Sequence, residues 1–465
     1  MSQDDRPVTV LFTVDSLRAD ALGAADVPTM DRLGERGTVF ENAFANGNWT
    51  PFSFPSVLGP DHVFTDSRGV GVSDAPTLAD RLQDAGVETA GFNAANGFLT
   101  EHWGYDSGFD AFETFTGGND GFYSRYLTAH PTVQAWVQVA TTPFRRLVGR
   151  GESDATNVSR MRDVERRAIE FLDDAEPPFF LWVHYMDTHT PYVPAPKYVR
   201  DVTGDSVGSL RMLRAHLRAG LGREVSDGTL DDLESLYHAT VQQVDDSVER
   251  VLSALDDRGL RDDATVVLAG DHGEEFMEHG HLAHYPKLYE ELVHVPLIVD
   301  APDTDSRTVG DAVGLDAVPA TICDAMGLPT DGFVAESVLP TVRDGESPRD
   351  GPVTSVAVRG ERVTSQPIPR HLDDGELLVS ARTADWAYVY HTDSEERELY
   401  DRTRDPTEQD DRWAEMADSD VVRQLHDAVE DRLDRIRDDP DTEETATDAG
   451  PPSGVTDQLK ALGYQ

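Results

Sequence analysis

Apolar residues in this chain come in short unbroken blocks, separated by longer stretches with helical spacing. Residues 8–14, 88–92, 179–184, 265–269 and 295–299 are such blocks, and their β-branched and aromatic content predicts buried strands. Between them, 77–85, 158–172 and 230–258 place apolar residues on one face of a helix. Strands alternating with helices predict an α/β fold, a mostly parallel sheet with helices on both faces. Parallel strands buried on both sides read as continuous apolar runs, as these do.

The pattern changes after residue 335. Residues 340–378 are rich in Pro, Gly, Asp and Arg, 381–390 then read as a strand of a small second sheet, and 421–437 as an amphipathic helix. This predicts a main domain over 1–335, a small C-terminal α+β subdomain over 336–415, and an acidic helix and tail over 416–465. Residues 117–160 and 200–230 read as helical insertions or long loops, and 438–454, acidic and rich in Pro and Thr, as a mobile linker.

Charge narrows the partners. Of 465 residues, 87 are Asp or Glu and 40 are Lys or Arg, a net charge of −47. The carboxylates are dispersed, and Lys197, Lys287 and Lys460 are the only lysines. A spread acidic surface with so few lysines predicts adaptation to high intracellular salt, where self-repulsion is screened. It disfavours nucleic acid and anionic membrane as partners. The single cysteine, Cys323, lies in an apolar run, which excludes an internal disulfide framework and a multi-cysteine metal site. No stretch reaches the length of a membrane helix, and the polar start leads straight into the first strand, so no membrane anchor and a cytoplasmic location are expected.

Ligands of open α/β sheets sit beyond the carboxyl ends of the strands. Asp15 follows the first predicted strand, Asn93 and Asn96 the second, His184, Asp187 and His189 the third, and Asp271 and His272 the fourth. Carboxylates and imidazoles thus converge on one rim. Asp271-His272-Gly273-Glu274 offers two side chains able to hold a divalent cation, with a glycine for a tight turn away, and Asp15 is able to complete that shell. Asp20 caps a helix or pairs with Arg18. Thr50-Pro51 reads as a helix cap followed by a first-turn proline, although Ser53 fits the cap slightly better, because Pro55 would then sit early in the first turn. A hydroxyl there faces the positive end of a helix, which favours an alkoxide and an anionic ester. His279, His281 and His284 form a second histidine cluster able to bind ester oxygens or protonate a leaving group.

These residues resemble the sulfatase branch of the alkaline-phosphatase superfamily. Asp271-His272-Gly273-Glu274 after Asp15-Ser16-Leu17-Arg18-Ala19-Asp20 carries the resemblance; Glu398-Leu399-Tyr400-Asp401 through Asp405-Pro406 and the closing Leu459-Lys460-Ala461-Leu462-Gly463-Tyr464 support it. The resemblance implies the alkaline-phosphatase-like sheet sandwiched by helices, and one divalent metal ion (Mn²⁺, Zn²⁺, Ca²⁺ or Mg²⁺) held by Asp15, Thr50, Asp271 and His272. It also implies that Thr50 attacks a sulfate or phosphate ester of a small molecule or glycan. His189 and His284 would assist catalysis, with His184, Lys287 and Asn93 binding substrate. The chain departs from the family at Ser53-Phe54-Pro55-Ser56-Val57, where Val57 stands in place of the arginine of the formylglycine signal, so that modification is not expected. Thr50-Pro51-Phe52-Ser53-Phe54-Pro55 is instead similar to the nucleophile segment of phosphoethanolamine transferases, which use an unmodified threonine, and this favours Thr50 over Ser53. Two-metal relatives need Asp-x-x-x-His; here Asp245 is followed by Glu249, which fits one metal. The implied activity is a sulfate-ester hydrolase, with phosphate mono- or diester hydrolysis or transfer as the alternative and a non-catalytic binding relative as the remote one.

Overall fold

β1 (Val8–Val14) is buried along its whole length. Its alternate residues serve opposite helix layers. Val8, Val10, Phe12 and Val14 pack with residues of the helices Pro28–Arg36, Met161–Asp174 and Asp227–Asp257, while Leu11 packs with Phe52, Phe54 and Ile322 on the other face. That two-sided burial is why the strand reads as an unbroken apolar run. The computed structural model describes residues 7–65, 67, 69–72, 75–115, 160–190, 192–204, 225–348, 351–360 and 369–437.

The other strands are β2 (Thr38–Phe44), β3 (Glu88–Asn93), β4 (Ala111–Glu113), β5 (Phe179–Tyr185), β6 (Ala264–Gly270), β7 (Glu275–Phe276), β8 (Leu282–Ala283), β9 (Leu297–Asp300) and β10 (Arg307–Gly314). Eight of the first ten strands form one sheet in the order β10-β2-β9-β6-β1-β5-β3-β4, while β7 and β8 pair as a separate hairpin. All neighbours in the large sheet are parallel except those of β9, which runs antiparallel between β2 and β6. The sheet is therefore the expected α/β type, mostly parallel and sandwiched by helices. Register sets the site. Val14 lies opposite Tyr185 on one side and Gly270 on the other, so Asp15 and Asp271 leave the sheet at the same level. Asn93 lies opposite His184 one row back.

A second sheet, β11 (Val353–Arg359), β12 (Glu376–Arg382), β13 (Trp386–His391) and β14 (Arg397–Asp401), is antiparallel in that order. The single strand expected over 381–390 is in fact the meeting of β12 and β13, because Thr383 N–H bonds Trp386 O at 2.9 Å and turns the chain back. The helix Asp420–Arg437 covers this sheet, with Val422, Leu425, Val429 and Leu433 buried against Val379, Tyr388 and Leu399. β11 is tied to the segment before Thr50, since Val356 N–H bonds Asn46 O at 3.0 Å. The expected insertions at 117–160 and 200–230 fall largely, and the linker 438–454 and the closing motif 459–464 wholly, outside the described residues. Among the described residues no helix is long and apolar enough to cross a membrane.

Candidate active site

The turns after β1 and β6 are welded together. Asp15 N–H bonds Tyr185 O at 2.8 Å and Asp271 N–H bonds Val14 O at 3.2 Å. Asp271 Oδ1 accepts from Ser16 N–H at 3.0 Å and from its neighbour His272 N–H at 2.8 Å. Ser16 takes a left-handed φ of 56° to bring that N–H round. Gly273 is required by closeness of approach: its N–H bonds Leu292 O at 2.8 Å, and a Cβ there would lie 1.9 Å from Glu291 O. The glycine anticipated for a sharp turn therefore serves backbone packing.

Thr50 enters from the other side of the rim. The helix Thr50–Leu58 begins with Trp49 as its extended N-cap, so Thr50 is the first helical residue and Pro51 the second. The capping role expected of Thr50 or Ser53 is not observed, and Trp49 provides no side-chain cap. Freed from capping, Thr50 Oγ1 donates to Asp15 Oδ2 at 3.2 Å and lies 3.4 Å from His272 Nε2. Ser53 Oγ, buried in the same helix, has no hydrogen-bond partner.

Five polar groups thus surround one point. His272 Nδ1 faces Gly273 O at 2.8 Å; a carbonyl only accepts, so Nδ1 carries the proton and the Nε2 lone pair faces inward. That nitrogen is 3.6 Å from Asp15 Oδ1 and 3.8 Å from Asp271 Oδ2. His184 Nδ1 is held by Thr13 Oγ1 at 2.9 Å, and its Nε2 lies 3.8 Å from Asp15 Oδ2. His184 Nε2 and Asp271 Oδ2 are buried with no hydrogen-bond partner. Asp15, His184 and Asp271 each offer a ligand atom within 4.8 Å of the other two. Buried polar atoms left unpaired cost free energy, and two of them aimed at one point beside a carboxylate fit a divalent cation. The electrostatics agree. Burial works against charge on Asp15, yet His189, His184 and His272 hold its carboxyl well below the usual range. Burial, and then the Asp15 charge, push the Asp271 carboxyl well above it.

Three imidazoles line one side. The His272 and His284 rings are 5.0 Å apart and the His284 and His189 rings 4.9 Å. Each has its Nδ1 anchored: His284 on Glu274 Oε2 at 3.0 Å, His189 on Thr190 O at 2.6 Å. Glu274 is fully buried and also accepts from Tyr192 Oη. Burial pulls His284 down to about 4, against the pull of Glu274. The folded chain then takes up this proton only near pH 4, whereas an unfolded histidine does so near 6.5. Stability should therefore fall as pH drops through that window, by up to about 1.4 kcal/mol per pH unit for one proton. His284→Gln should flatten that slope in the metal-chelated protein, read from thermal midpoints between pH 7 and 4.5. Identical slopes in the two proteins would refute the assignment.

Two expected contacts are made differently. Asn93 does not reach the cluster; its amide bonds Asn96 O and Leu99 O at 3.1 and 2.7 Å and its Oδ1 accepts from Asn96 N–H. The loop it folds delivers Asn96, whose Nδ2 donates to Asp15 Oδ2 at 2.8 Å and Thr50 Oγ1 at 3.2 Å. Lys287 is turned to Glu275, at 3.0 Å, and to His279 O, because a buried ammonium needs a carboxylate. His279 stacks on Tyr289 and bonds Glu291, and His281 stacks on Tyr285, so of this cluster His284 alone is in contact with His189 and His272. Asp20 pairs with Arg18 and makes no side-chain cap. Asp245 accepts from Thr29 and Met30 N–H at the start of the helix Pro28–Arg36, and Glu249 pairs with Arg32, so neither joins the cluster.

With this geometry, comparison with known proteins is direct. The family model described as Sulfatase matches residues 7–328, and the chain belongs to the sulfatase family. It is similar to the uncharacterized sulfatase YidJ of Escherichia coli (strain K12), 27% identical over 59% of this chain and 55% of that one. The chain thus spans about half the length of that curated relative. Among solved structures, BT4656 in complex with its substrate D-glucosamine-2-N,6-O-disulfate superposes with a TM-score of 0.69 at 18% identity, over 95% of this chain and all of that one. The phosphonate monoester hydrolase of Agrobacterium radiobacter gives 0.67 at 18%, over 94% and 96%. At such identity these likenesses speak for the fold.

Proposed function

We propose that this chain is a metal-dependent hydrolase of sulfate esters that uses Thr50 as its nucleophile. One observation carries the reading: Thr50 Oγ1 stands within 3.4 Å of both Asp15 and His272, in a cluster whose Asp271 and His184 atoms lack partners. Asp15, Asp271 and His272 with Thr50 would hold one divalent cation (Mn²⁺, Zn²⁺, Ca²⁺ or Mg²⁺), with His184 beside them. When bound, the cation would supply positive charge that favours the Thr50 alkoxide and polarises the ester oxygens.

Asn96 orients the hydroxyl by donating to it, and the Thr50 proton is held toward Asp15 Oδ2. Attack passes the Thr50 proton to Asp15 Oδ2, forms the Oγ1–S bond and breaks the bond from sulfur to the ester oxygen. His189 binds a non-bridging oxygen, and His284, steered by Glu274, gives a proton to the leaving oxygen. The anionic ester beside the ring offsets the burial that otherwise keeps it neutral. Water then attacks sulfur, the S–Oγ1 bond breaks, His284 takes the water proton, and Asp15 returns its proton to Thr50 Oγ1. The substrate is a small-molecule or glycan ester; residues 336–415 act as the small C-terminal subdomain, and the dispersed acidic charge suits work at high salt in a cytoplasm.

A second reading, hydrolysis or transfer of phosphate mono- or diesters by the same residues, is favoured by Val57, which stands where the formylglycine signal carries arginine. A panel of 4-nitrophenyl sulfate, 4-nitrophenyl phosphate and bis(4-nitrophenyl) phosphate, assayed in high KCl with each cation, separates the two. The sulfate should turn over fastest. Turnover of the phosphates alone would move the assignment to the second reading. No turnover and no bound metal would leave a binding protein.

A further inference from the structure

A cavity of about 290 Å³ lies between the end of β10, the start of the helix Ala317–Ala325 and the helix Asp420–Arg437. β10 is four strands from β1 in the sheet order, roughly 19 Å at the usual strand spacing, so this cavity is apart from the Thr50 cluster. Its walls mix apolar side chains, Val313, Val338 and Val353 among them, with a slightly larger share of polar surface. Two arginines one helical turn apart, Arg432 and Arg435, line it from the C-terminal helix.

Arg432 is the unusual group. It is 3% exposed, and its hydrogen bonds go to Val63 O and Thr65 Oγ1, both uncharged. Among the described residues no carboxylate forms an ion pair with it: Asp61 is engaged with His62 N–H and the Thr65 hydroxyl, and Asp316 with His62. Burial pulls this guanidinium down to about 10, against the weaker pull of the Asp61 and Asp316 charges, neither of which forms an ion pair with it. A second buried group is left unpaired beside it. His62 lines the same cavity at 8% exposure; its Nε2 is fixed on Asp316 Oδ2 at 2.8 Å, and its Nδ1 has no partner. Because the Asp316 carboxylate accepts, Nε2 carries the proton and the Nδ1 lone pair is left to accept one.

We propose that this cavity is a binding site for a small organic acid carrying a hydroxyl group, its carboxylate on Arg432 and Arg435 and its hydroxyl donated to His62 Nδ1. Val313, Val338 and Val353 offer an apolar part of the wall for a short hydrocarbon body. The carboxylates at the lining, Asp316, Glu336 and Asp431, repel a dianion more than a monoanion, which favours a carboxylate over free phosphate or sulfate. Since the walls come from both the main sheet and the C-terminal helix, an occupant joins the two.

The probe is 3-bromo-4-hydroxybenzoate on the full chain, followed by calorimetry and by anomalous diffraction from soaked crystals. The expected result is one saturable site and a bromine peak among His62, Val353 and Arg432. The corresponding benzamide, which lacks the charge, should bind about ten-fold or more weakly, the loss typical of a charge-assisted hydrogen bond. Arg435→Gln, at an exposed position that will not disturb folding, should weaken the benzoate similarly and leave ester hydrolysis unchanged; Arg432→Lys should weaken it further. Equal binding of benzoate and benzamide, unchanged affinity in Arg435→Gln, a bromine peak only beside Thr50, or tighter binding of inorganic phosphate than of the benzoate would each overturn the proposal.

Discussion

Replacing Thr50 by alanine should lower kcat/KM for the best ester substrate by roughly 10⁴-fold or more, the scale on which loss of a covalent nucleophile acts. Thr50→Ser keeps the hydroxyl and should cost about ten-fold, because the lost methyl group frees a rotor that is otherwise stiff. Ser53→Ala is the discriminating control. Its hydroxyl is buried in the same helix and touches no acceptor, whereas Thr50 is bonded to Asp15 and Asn96. Activity in Ser53→Ala should stay within about three-fold of the parent, since the substitution breaks no hydrogen bond and removes no group from the cluster. The reverse pattern, an active Thr50→Ala protein and an inactive Ser53→Ala one, would transfer the nucleophile to Ser53.

What the sequence reveals of this site follows from burial. β1, β5 and β6 are covered on both faces, so their side chains are apolar throughout, and the first polar residue after each stands out. Asp15 and Asp271 were legible for that reason. β10 is an edge strand with five of its eight residues less than fully buried, and it carries Gly310 and Asp311, so no apolar run marks it. β2 mixes buried and exposed residues and hides in the same way. The hairpin in 381–390 was missed because both arms are apolar and its turn, Thr383-Ala384-Asp385, holds neither Gly nor Pro.

Within the site, the errors share a cause. Asn93 and Asn96 are chemically the same, and only the fold of the loop decides which amide faces in. Lys287 reads in the sequence as free to hold an anion, but Glu275, twelve residues back on β7, captures it. Glu274 was in view within Asp271-His272-Gly273-Glu274, yet its task depends on His284 and Tyr192, which fold onto it from opposite sides. Strand exits can be read from periodicity; partners across loops cannot.

Those carboxylates give the second large effect, in stability. Asp271 and Asp15 face each other fully buried, and Asp271 Oδ2 has no partner. Burial and the Asp15 charge hold the Asp271 carboxyl well above its usual range. A group whose folded value is raised contributes stability below its unfolded value and loses it as pH rises through the folded one. Near neutral pH the pair is therefore a net cost in the metal-free chain. Asp271→Asn keeps the acceptor for Ser16 N–H and His272 N–H but removes the charge. In chelator it should unfold a few degrees higher than the parent, from a gain on the order of 2 kcal/mol. Adding Mn²⁺ or Zn²⁺ should raise the parent midpoint with concentration, by mass action on the folded state, and should do so more strongly at pH 8 than at pH 6 because the Asp271 proton must leave. Asp271→Asn should show neither the rise nor its pH dependence. A metal-induced rise of equal size in the variant, or an Asp271→Asn protein less stable than the parent in chelator, would mean that these carboxylates do not form a shared cation site.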